Sequence, residues 1–427
     1  MKLVKKAKNF YGRIEFWQKV TAGLVLGVLV GLIFGKDAAV LRPVGELFMK
    51  LIKMIIVPLI FISVVVGITG IKDSSSLSRL SVKSVVAFLL TSSFAIVVGL
   101  ITVNIIRPGD GIDLSLLDSV VANDMPTTAN SGMLSILYDA VPSNALNALV
   151  SGHLLQVVFF SFFTGITINQ LGSEKRTIVA GFNLAANIVF KMVHLILKLA
   201  PYGAFALTAS VVGTQGIVTL QNLGLLVASL IAAMSVQYLI FGLMILVFAR
   251  LSPIPFYKKS IEYQSLAFST SSSKAALPTT MDVCIRKLGI SKNCTSFVLP
   301  LGSSINMDGT AIYAGICAVF FAQAYHIELS TIDYILIIIT STLGSIGAAG
   351  VPSGTLLILP MVLATINVPI GGIAFIAGID RILDMLRTTL NITGDATVTL
   401  IIDASEKTLN KKRYYTDSAK LTTEEDF

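Results

Sequence analysis

Five polar residues, Asp380, Asp384, Arg387, Asn391 and Asp395, stand inside an apolar segment of membrane-spanning length that runs roughly from Ile370 to Ile402. Their spacing is i, i+4, i+7, i+11 and i+15. On a helix at about 100° per residue, all five share an arc of about 80°. Charges are costly in lipid, and a line of this kind is expected to face a cavity, a partner or a pathway. The segment therefore reads as one wall of a polar site buried within a membrane.

The rest of the chain agrees with a membrane setting. Of 427 residues, 54% are hydrophobic and 13% charged, where a soluble domain carries about 25% charged residues. The basic start (Lys2, Lys5, Lys6, Lys8, Arg13) leads into a full-length apolar helix rather than a cleavable signal. A net charge of +8 could suggest nucleic acid, but the basic residues sit in short segments flanking apolar ones, where they orient a membrane protein. No nucleic-acid partner is expected. Cys284, Cys294 and Cys317 are isolated and lack metal spacing, so they read as structural. His153, His194 and His326 are scattered, and neither a nucleophilic triad nor a phosphate-binding loop is present. Enzyme and ATP-driven readings therefore lack residues, and no cofactor is expected.

Spanning segments are predicted near residues 17–35, 44–70, 84–106, 148–171, 177–212, 221–249, 294–325 and 372–402. Two further apolar stretches, 252–285 and 333–366, are interrupted by Ser-Thr-Ser-Ser-Ser at 269–273 and Gly-Val-Pro-Ser-Gly at 350–354. Interruptions of this kind fit re-entrant helical hairpins, with kinked spanning helices as the alternative. The fold class is thus an all-α polytopic membrane protein with eight transmembrane helices and two opposed re-entrant hairpins. Basic clusters at the N-terminus, 72–83, 174–176, 250–259, 286–292 and the tail contrast with the acidic 108–131 segment. Eight crossings with both termini in the cytoplasm put every basic cluster inside. Asn306-Met-Asp-Gly309 and Asn391-Ile-Thr-Gly394 each follow an interrupted stretch, a pointer to inverted repeats with a midplane site. The charged tail after Asp403 reads as a soluble extension.

The polar line suggests a ligand. Arg387 offers a fork matched to a carboxylate, Asp384 an acceptor for an ammonium, and Asn391 a donor to a second carboxylate. Together they suit an acidic amino acid; the plainer alternative is that Asp384 and Arg387 neutralise each other at i, i+3. Asp395, Asn391, Asn306 and Asp308 add hard oxygen donors without His or Cys, which favours a hard cation. An unwound Asn-Met-Asp-Gly-Thr stretch, eased by Gly302 and Gly309, would free carbonyls for that ion. Asp380 has no role on this reading.

Ser271-Ser-Ser273, Asn306-Met-Asp-Gly-Thr310, Gly350-Val-Pro352 and Asp384-Met-Leu-Arg-Thr-Thr-Leu-Asn-Ile-Thr-Gly-Asp395 resemble the dicarboxylate/amino acid:cation symporter family, that of the glutamate transporters. The resemblance covers nearly the whole chain. It implies a homotrimer of elevator-type transporters in the cell inner membrane, with 1–83 holding scaffold helices, 84–106 a transport-domain helix, and 107–220 an outer loop and further scaffold helices. It assigns 221–402 to the transport domain and 403–427 to a cytoplasmic tail. Arg387 would hold the substrate side-chain carboxylate and Asp384 its amino group. Asn391 and the tip Ser271, Ser272 and Ser273 would hold the main-chain carboxylate, with Thr310 nearby. Val351, Pro352, Ser353, Gly354 and Thr355 would form a closing gate.

Sodium, the coupling ion, would occupy three places on the same resemblance. The first uses Gly302, Asn306, Asn391 and Asp395; the second Ser304 with the backbone of Ser345, Ile346 and Ala348. The third uses Thr91, Ser92, Asn306, Asp308 and the carbonyl of Phe88. Two departures stand out: Ser271 occupies a position where some sodium-coupled members carry arginine, and Thr355 one where glycine is frequent. Arg381 adds a cation about 40° outside the polar strip, placed to pair with Asp384. The expected function is import of glutamate or aspartate with sodium. Proton coupling, C4-dicarboxylate transport and a substrate-gated anion channel are the alternatives.

Overall fold

Glycines at every fourth position set the first helix contact. A computed structural model of the chain describes residues 16–69, 78–112, 114, 141–152, 154–172, 174–216, 218–347 and 354–417. In it, helix α1 (Phe16–Phe34) packs along α7 (Ala200–Gln215). A Cβ added at Gly23 would lie 2.4 Å from the Pro201 carbonyl oxygen, and one at Gly27 would lie 2.6 Å from that of Phe205. At Gly31 the distance to the Ala209 carbonyl oxygen would be 2.8 Å. The backbones therefore touch, as small residues at this spacing allow between membrane helices.

A 3₁₀ turn (Gly35–Leu41) leads to α2 (Arg42–Thr69), which packs on α5 (Leu154–Gln170), α6 (Lys175–Leu197) and α7. The predicted 148–171 segment is divided at Gly152, whose φ of 71° ends the short α4 (Ala145–Ser151). The single 177–212 segment is likewise two helices, α6 and α7, with Pro201 in the first turn of α7, where its missing N–H costs nothing.

The remaining elements gather around one long helix. They are α3 (Ser78–Ile106), α8 (Val218–Met244, extended by a π turn at Ile245–Ala249), α9 (Pro253–Thr270), α10 (Ser273–Arg286), α11 (Lys292–Ile305), α12 (Asp308–Ala324), α13 (Thr331–Gly347) and α14 (Thr355–Thr365). Helix α15 (Ile373–Ser405) touches α3 and α8 to α12, and also α14, α1 and α7. At 33 residues it is about 50 Å long.

Both interrupted stretches fold as helix pairs. α9 and α10 run back on each other: Lys287 Nζ meets Glu262 Oε2 at 2.5 Å, and the turn between them is Ser271, with φ 49°. α13 and α14 pair so closely that a Cβ on Gly344 would lie 2.5 Å from Met361 Cε. The tip of this second pair, including Ala348 and Val351–Ser353, lies outside the described residues.

No strand occurs among the described residues. Four helical segments there are long and apolar enough to cross a membrane: Ala22–Phe48, Val82–Ile106, Leu220–Ala249 and Lys292–Ala324. The chain is a multi-pass, all-helical membrane protein. The three cysteines are buried and free.

The described part of the tail is docked: Tyr414 is buried, and a short helix α16 (Lys411–Tyr415) packs against α9. Two adjacent tyrosines, Tyr414 and Tyr415, supply the apolar surface that a charge count overlooks.

Candidate functional site

The polar line of α15 is buried along its whole length, Asp380, Arg387 and Asp395 completely. Arg387 Nη1 donates to Asp380 Oδ1 at 2.8 Å, and Nη2 to Asp384 Oδ1 at 2.9 Å. Its guanidinium also lies over the Tyr313 ring, 4.3 Å from the centroid, a position in which the ring face attracts a cation. The i, i+3 pairing of Asp384 with Arg387 is therefore present, and Asp380 joins it from two turns away. Arg387 is thus shared between two carboxylates of its own helix.

Helix α12 begins against this group. A Cβ on Gly309 would lie 2.8 Å from the Arg387 carbonyl oxygen, so only glycine lets the two backbones approach. The approach puts the Asn391 amide within reach of the α12 start. Its Oδ1 accepts from Gly309 N at 2.7 Å, and its Nδ2 donates to Thr310 Oγ1 at 3.3 Å and to Met307 Sδ at 3.2 Å. An amide side chain here satisfies helix-start donors that have no helical partner.

Between α11 and α12 the chain is not helical: Asn306 has φ −89° and ψ 99°, and Met307 φ −124° and ψ 51°. The predicted unwinding at Asn306-Met-Asp-Gly-Thr310 is thus present, confined to two residues. Its counterpart Asn391–Gly394 stays helical within α15, so the two matching motifs differ in backbone.

A cluster of oxygen atoms surrounds the break. Asn306 Nδ2 donates to Asp395 Oδ1 at 3.0 Å, and Asn306 Oδ1 accepts from Thr91 Oγ1 at 3.2 Å. The single Thr91 hydroxyl proton is shared with the Phe88 carbonyl, 3.0 Å away, and Ser92 Oγ donates to Asp308 Oδ1 at 2.6 Å. Asp308 Oδ2 and Asp395 Oδ2 are buried without a hydrogen-bond partner among the described residues. Leaving such atoms unsatisfied is costly. A Cβ on Gly302 would meet Asp395 Oδ1 at 2.8 Å, and one on Gly394 would meet Asn306 Nδ2 at 2.8 Å and Asp308 Oδ2 at 3.1 Å. These two glycines hold the space into which the oxygens point. The donor set is all oxygen and suits a hard cation.

The structure thus brings together Phe88, Thr91, Ser92, Gly302, Asn306, Asp308, Thr310, Asn391 and Asp395. The first hairpin supplies Ser271, buried with its Oγ unpartnered among the described residues, Ser272, which caps α10 by accepting from Ala275 N at 3.3 Å, and buried Ser273. α9 and α10 both pack on α15. Ser304 is half-buried on α11, and Ser345 Oγ is spent on the Thr342 carbonyl at 2.8 Å. Gly354 and Thr355 are buried at the start of α14. Ile346 lies in α13, and its side chain and that of Arg381 fall outside what is described. Sequence reasoning missed Tyr313, for which no signal exists, and the Asp380–Arg387 pair, which its i, i+7 spacing does signal. It also missed Gln264, whose Nε2 donates to Thr393 Oγ1 and to Tyr238 OH, both at 3.0 Å, tying α9 to α15 and α8.

A family model described as the sodium:dicarboxylate symporter family matches residues 16–405. The chain belongs to the sodium:dicarboxylate symporter family. Among its relatives, a proton/sodium-glutamate symport protein of Bacillus caldotenax is 36% identical over 93% of this chain and 96% of its own length. A proton/glutamate-aspartate symporter of Escherichia coli (strain K12) is 34% identical over 93% and 94%. A C4-dicarboxylate transport protein of Rhodospirillum rubrum is 34% identical over 92% and 89%. Members of the sodium:dicarboxylate symporter family are transporters rather than enzymes.

Proposed function

We propose that the chain is a secondary active symporter that imports glutamate or aspartate, driven by sodium. The observation that carries this reading is the pair of buried oxygens Asp308 Oδ2 and Asp395 Oδ2, without a hydrogen-bond partner among the described residues and gathered near Asn306, with the buried guanidinium of Arg387 earlier on α15. A cation completes the first feature and an acidic solute matches the second.

On this reading Arg387 takes the substrate side-chain carboxylate, Asp384 the ammonium, and Asn391 with Thr310 and the Ser271–Ser273 tip the main-chain carboxylate. Sodium enters at Gly302, Asn306, Asn391 and Asp395, at Phe88, Thr91, Ser92, Asn306 and Asp308, and at Ser304 with the 345–348 backbone. Residues 351–355 close over the substrate. Eight crossings and two opposed hairpins place both termini in the cytoplasm of a cell whose inner membrane holds the protein as a homotrimer. Helices α3 and α8 to α15 form the body that moves in an elevator motion, and α1, α2 and α4 to α7 the scaffold. Packing of α1, α2 and α5 to α7 on one another supports that division.

The test is uptake of labelled glutamate and aspartate into proteoliposomes under a sodium gradient, compared with a proton gradient. Accumulation with sodium alone is expected. Absence of accumulation under either gradient would sink the symporter reading. A proton-coupled version is the second reading, favoured by the names of the relatives, which include both ions. Accumulation under a proton gradient without sodium selects it. Competition by unlabelled succinate tests the C4-dicarboxylate alternative, which Asp384 disfavours because such a solute brings no ammonium.

A further inference from the structure

A buried lysine ties the open end of the first hairpin to the last described helix. Lys259, on α9, is buried, and its Nζ donates to three backbone carbonyls: Lys287 at 2.7 Å, Arg413 at 3.0 Å and Tyr414 at 2.7 Å. An ammonium has three donors, so all of them are used. One acceptor belongs to the end of α10 and two to α16, where the Arg413 carbonyl also receives Thr416 N at 3.3 Å.

Helix α16 also grips the beginning of the hairpin. The fully buried Tyr414 donates its hydroxyl to the Ser252 carbonyl at 2.8 Å, and Tyr415 OH accepts from Ser252 N at 3.2 Å. Burial pushes the Tyr414 phenol above the ordinary tyrosine value, so it remains a neutral donor. The loop after α10 is held as well: Asn410 N donates to the Gly289 carbonyl at 2.9 Å. Gly289 has φ 73°, and a Cβ there would lie 2.5 Å from Asn410 O. Upstream, Asp403 accepts from Ser291 N at 2.9 Å and from Ser291 Oγ at 2.5 Å.

The opposite end of the hairpin is the Ser271–Ser273 tip. α9 has 18 residues, a lever about 27 Å long, so a rotation of about 5° at the fastened end displaces the tip by about 2 Å. The fastening at Lys259 consists of hydrogen bonds to backbone carbonyls. Its cation is held by carbonyl dipoles, and α16 has five residues, too few to persist as a helix once undocked.

We propose that Lys259 and α16 form a latch on the open end of the first hairpin, and that its release limits turnover. Lys259 is then a positioning residue that acts on the site through the hairpin tip. The proposal rests on the transport reading above for its rate readout, and on geometry alone for the docking.

The test uses the full-length protein in proteoliposomes with Lys259→Met, which keeps the aliphatic stem and removes the three donors, and with Tyr414→Phe. Amide exchange in α9 and α10 is expected to rise at least tenfold while α12 stays unchanged. The uptake kcat is expected to rise at least twofold with KM within twofold of wild type, a gain that a merely structural role does not produce. A monodisperse variant with unchanged exchange, or with unchanged or lowered kcat, overturns the latch. Should Lys259→Met fail to fold, Tyr414→Phe and Gly289→Ala carry the same decision. If the wild type accumulates neither amino acid, the transport reading fails, and the exchange measurement still decides whether α16 fastens the hairpin.

Discussion

Asn306 donates its Nδ2 to Asp395 Oδ1 across 3.0 Å, so the break between α11 and α12 is bonded to the last acid of the α15 line. Through its Oδ1 the same side chain receives Thr91 of α3. One amide therefore joins three helices around the two carboxylate oxygens that have no hydrogen-bond partner among the described residues. On the proposed reading, whatever neutralises Asp395 also sets the backbone that carries Asp308, Gly309 and Thr310.

The first prediction tests the charge of Asp395. In Asp395→Asn the amide oxygen can keep the bond from Asn306, while the buried negative charge is gone. The sodium concentration for half-maximal aspartate uptake is expected to rise at least tenfold. An unaltered sodium titration would place the ion elsewhere.

A second prediction separates substrate recognition from stability at Arg387. Arg387→Cys removes the cation held by Asp380 and Asp384, and breaking a buried pair costs about 3–5 kcal/mol. Loss of acidic amino-acid binding is expected, together with a lower melting temperature. Combining it with Asp380→Asn removes one stranded charge and should recover part of the melting temperature without restoring aspartate binding. Wild-type aspartate affinity in either variant would refute the assigned role.

Gly302→Ala tests space rather than charge. Its methyl would meet Asp395 Oδ1 and Phe88 Cζ, both at 2.8 Å, and overpacking of this order costs about 1–3 kcal/mol. Sodium affinity should fall several-fold in the same titration while a well-folded protein is recovered. Retained affinity would show that Asp395 moves aside freely and that the glycine is not needed there.

At the α1–α7 contact, Gly27→Val is expected to lower the melting temperature, because a side chain would press on Phe205 O and on Thr208 Cβ, 2.6 and 3.0 Å from the added carbon. Sodium titration of the surviving protein should match wild type, since no residue of the oxygen cluster is among the atoms nearest Gly27. A shifted titration would mean that the two regions are coupled.

How much was legible in the sequence follows from what each residue depends on. The polar line, the interruption at Ser271–Ser273 and the two-residue break at Asn306–Met307 rest on local composition, and local patterns are readable. The unbroken course of α15 through Asn391–Gly394 was readable too, from the single apolar segment and its polar arc; what stayed hidden is why the identical Asn-x-x-Gly motif takes two backbones, which is decided by its tertiary partners. Asn306 finds Thr91 and Asp395 and leaves the helix, while Asn391 finds Gly309 N and Thr310 without doing so. The docking of α16 was hidden for a related reason. A run of Lys411-Lys-Arg413 dominates its charge count, and Tyr414 is buried only because Ser252 and Lys259 come to meet it from far along the chain.

Helix α15 is continuous over 33 residues, whereas the backbone facing it changes direction at Asn306 and Met307. The site therefore pairs a stiff rod with a compliant joint. On the proposed reading occupancy is recorded unequally by the two: an environment-sensitive probe near Met307 should respond to ion titration, while one at the exposed Ile382 of α15 should stay silent. On the proposed reading, the joint rather than the rod is where an ion would be registered.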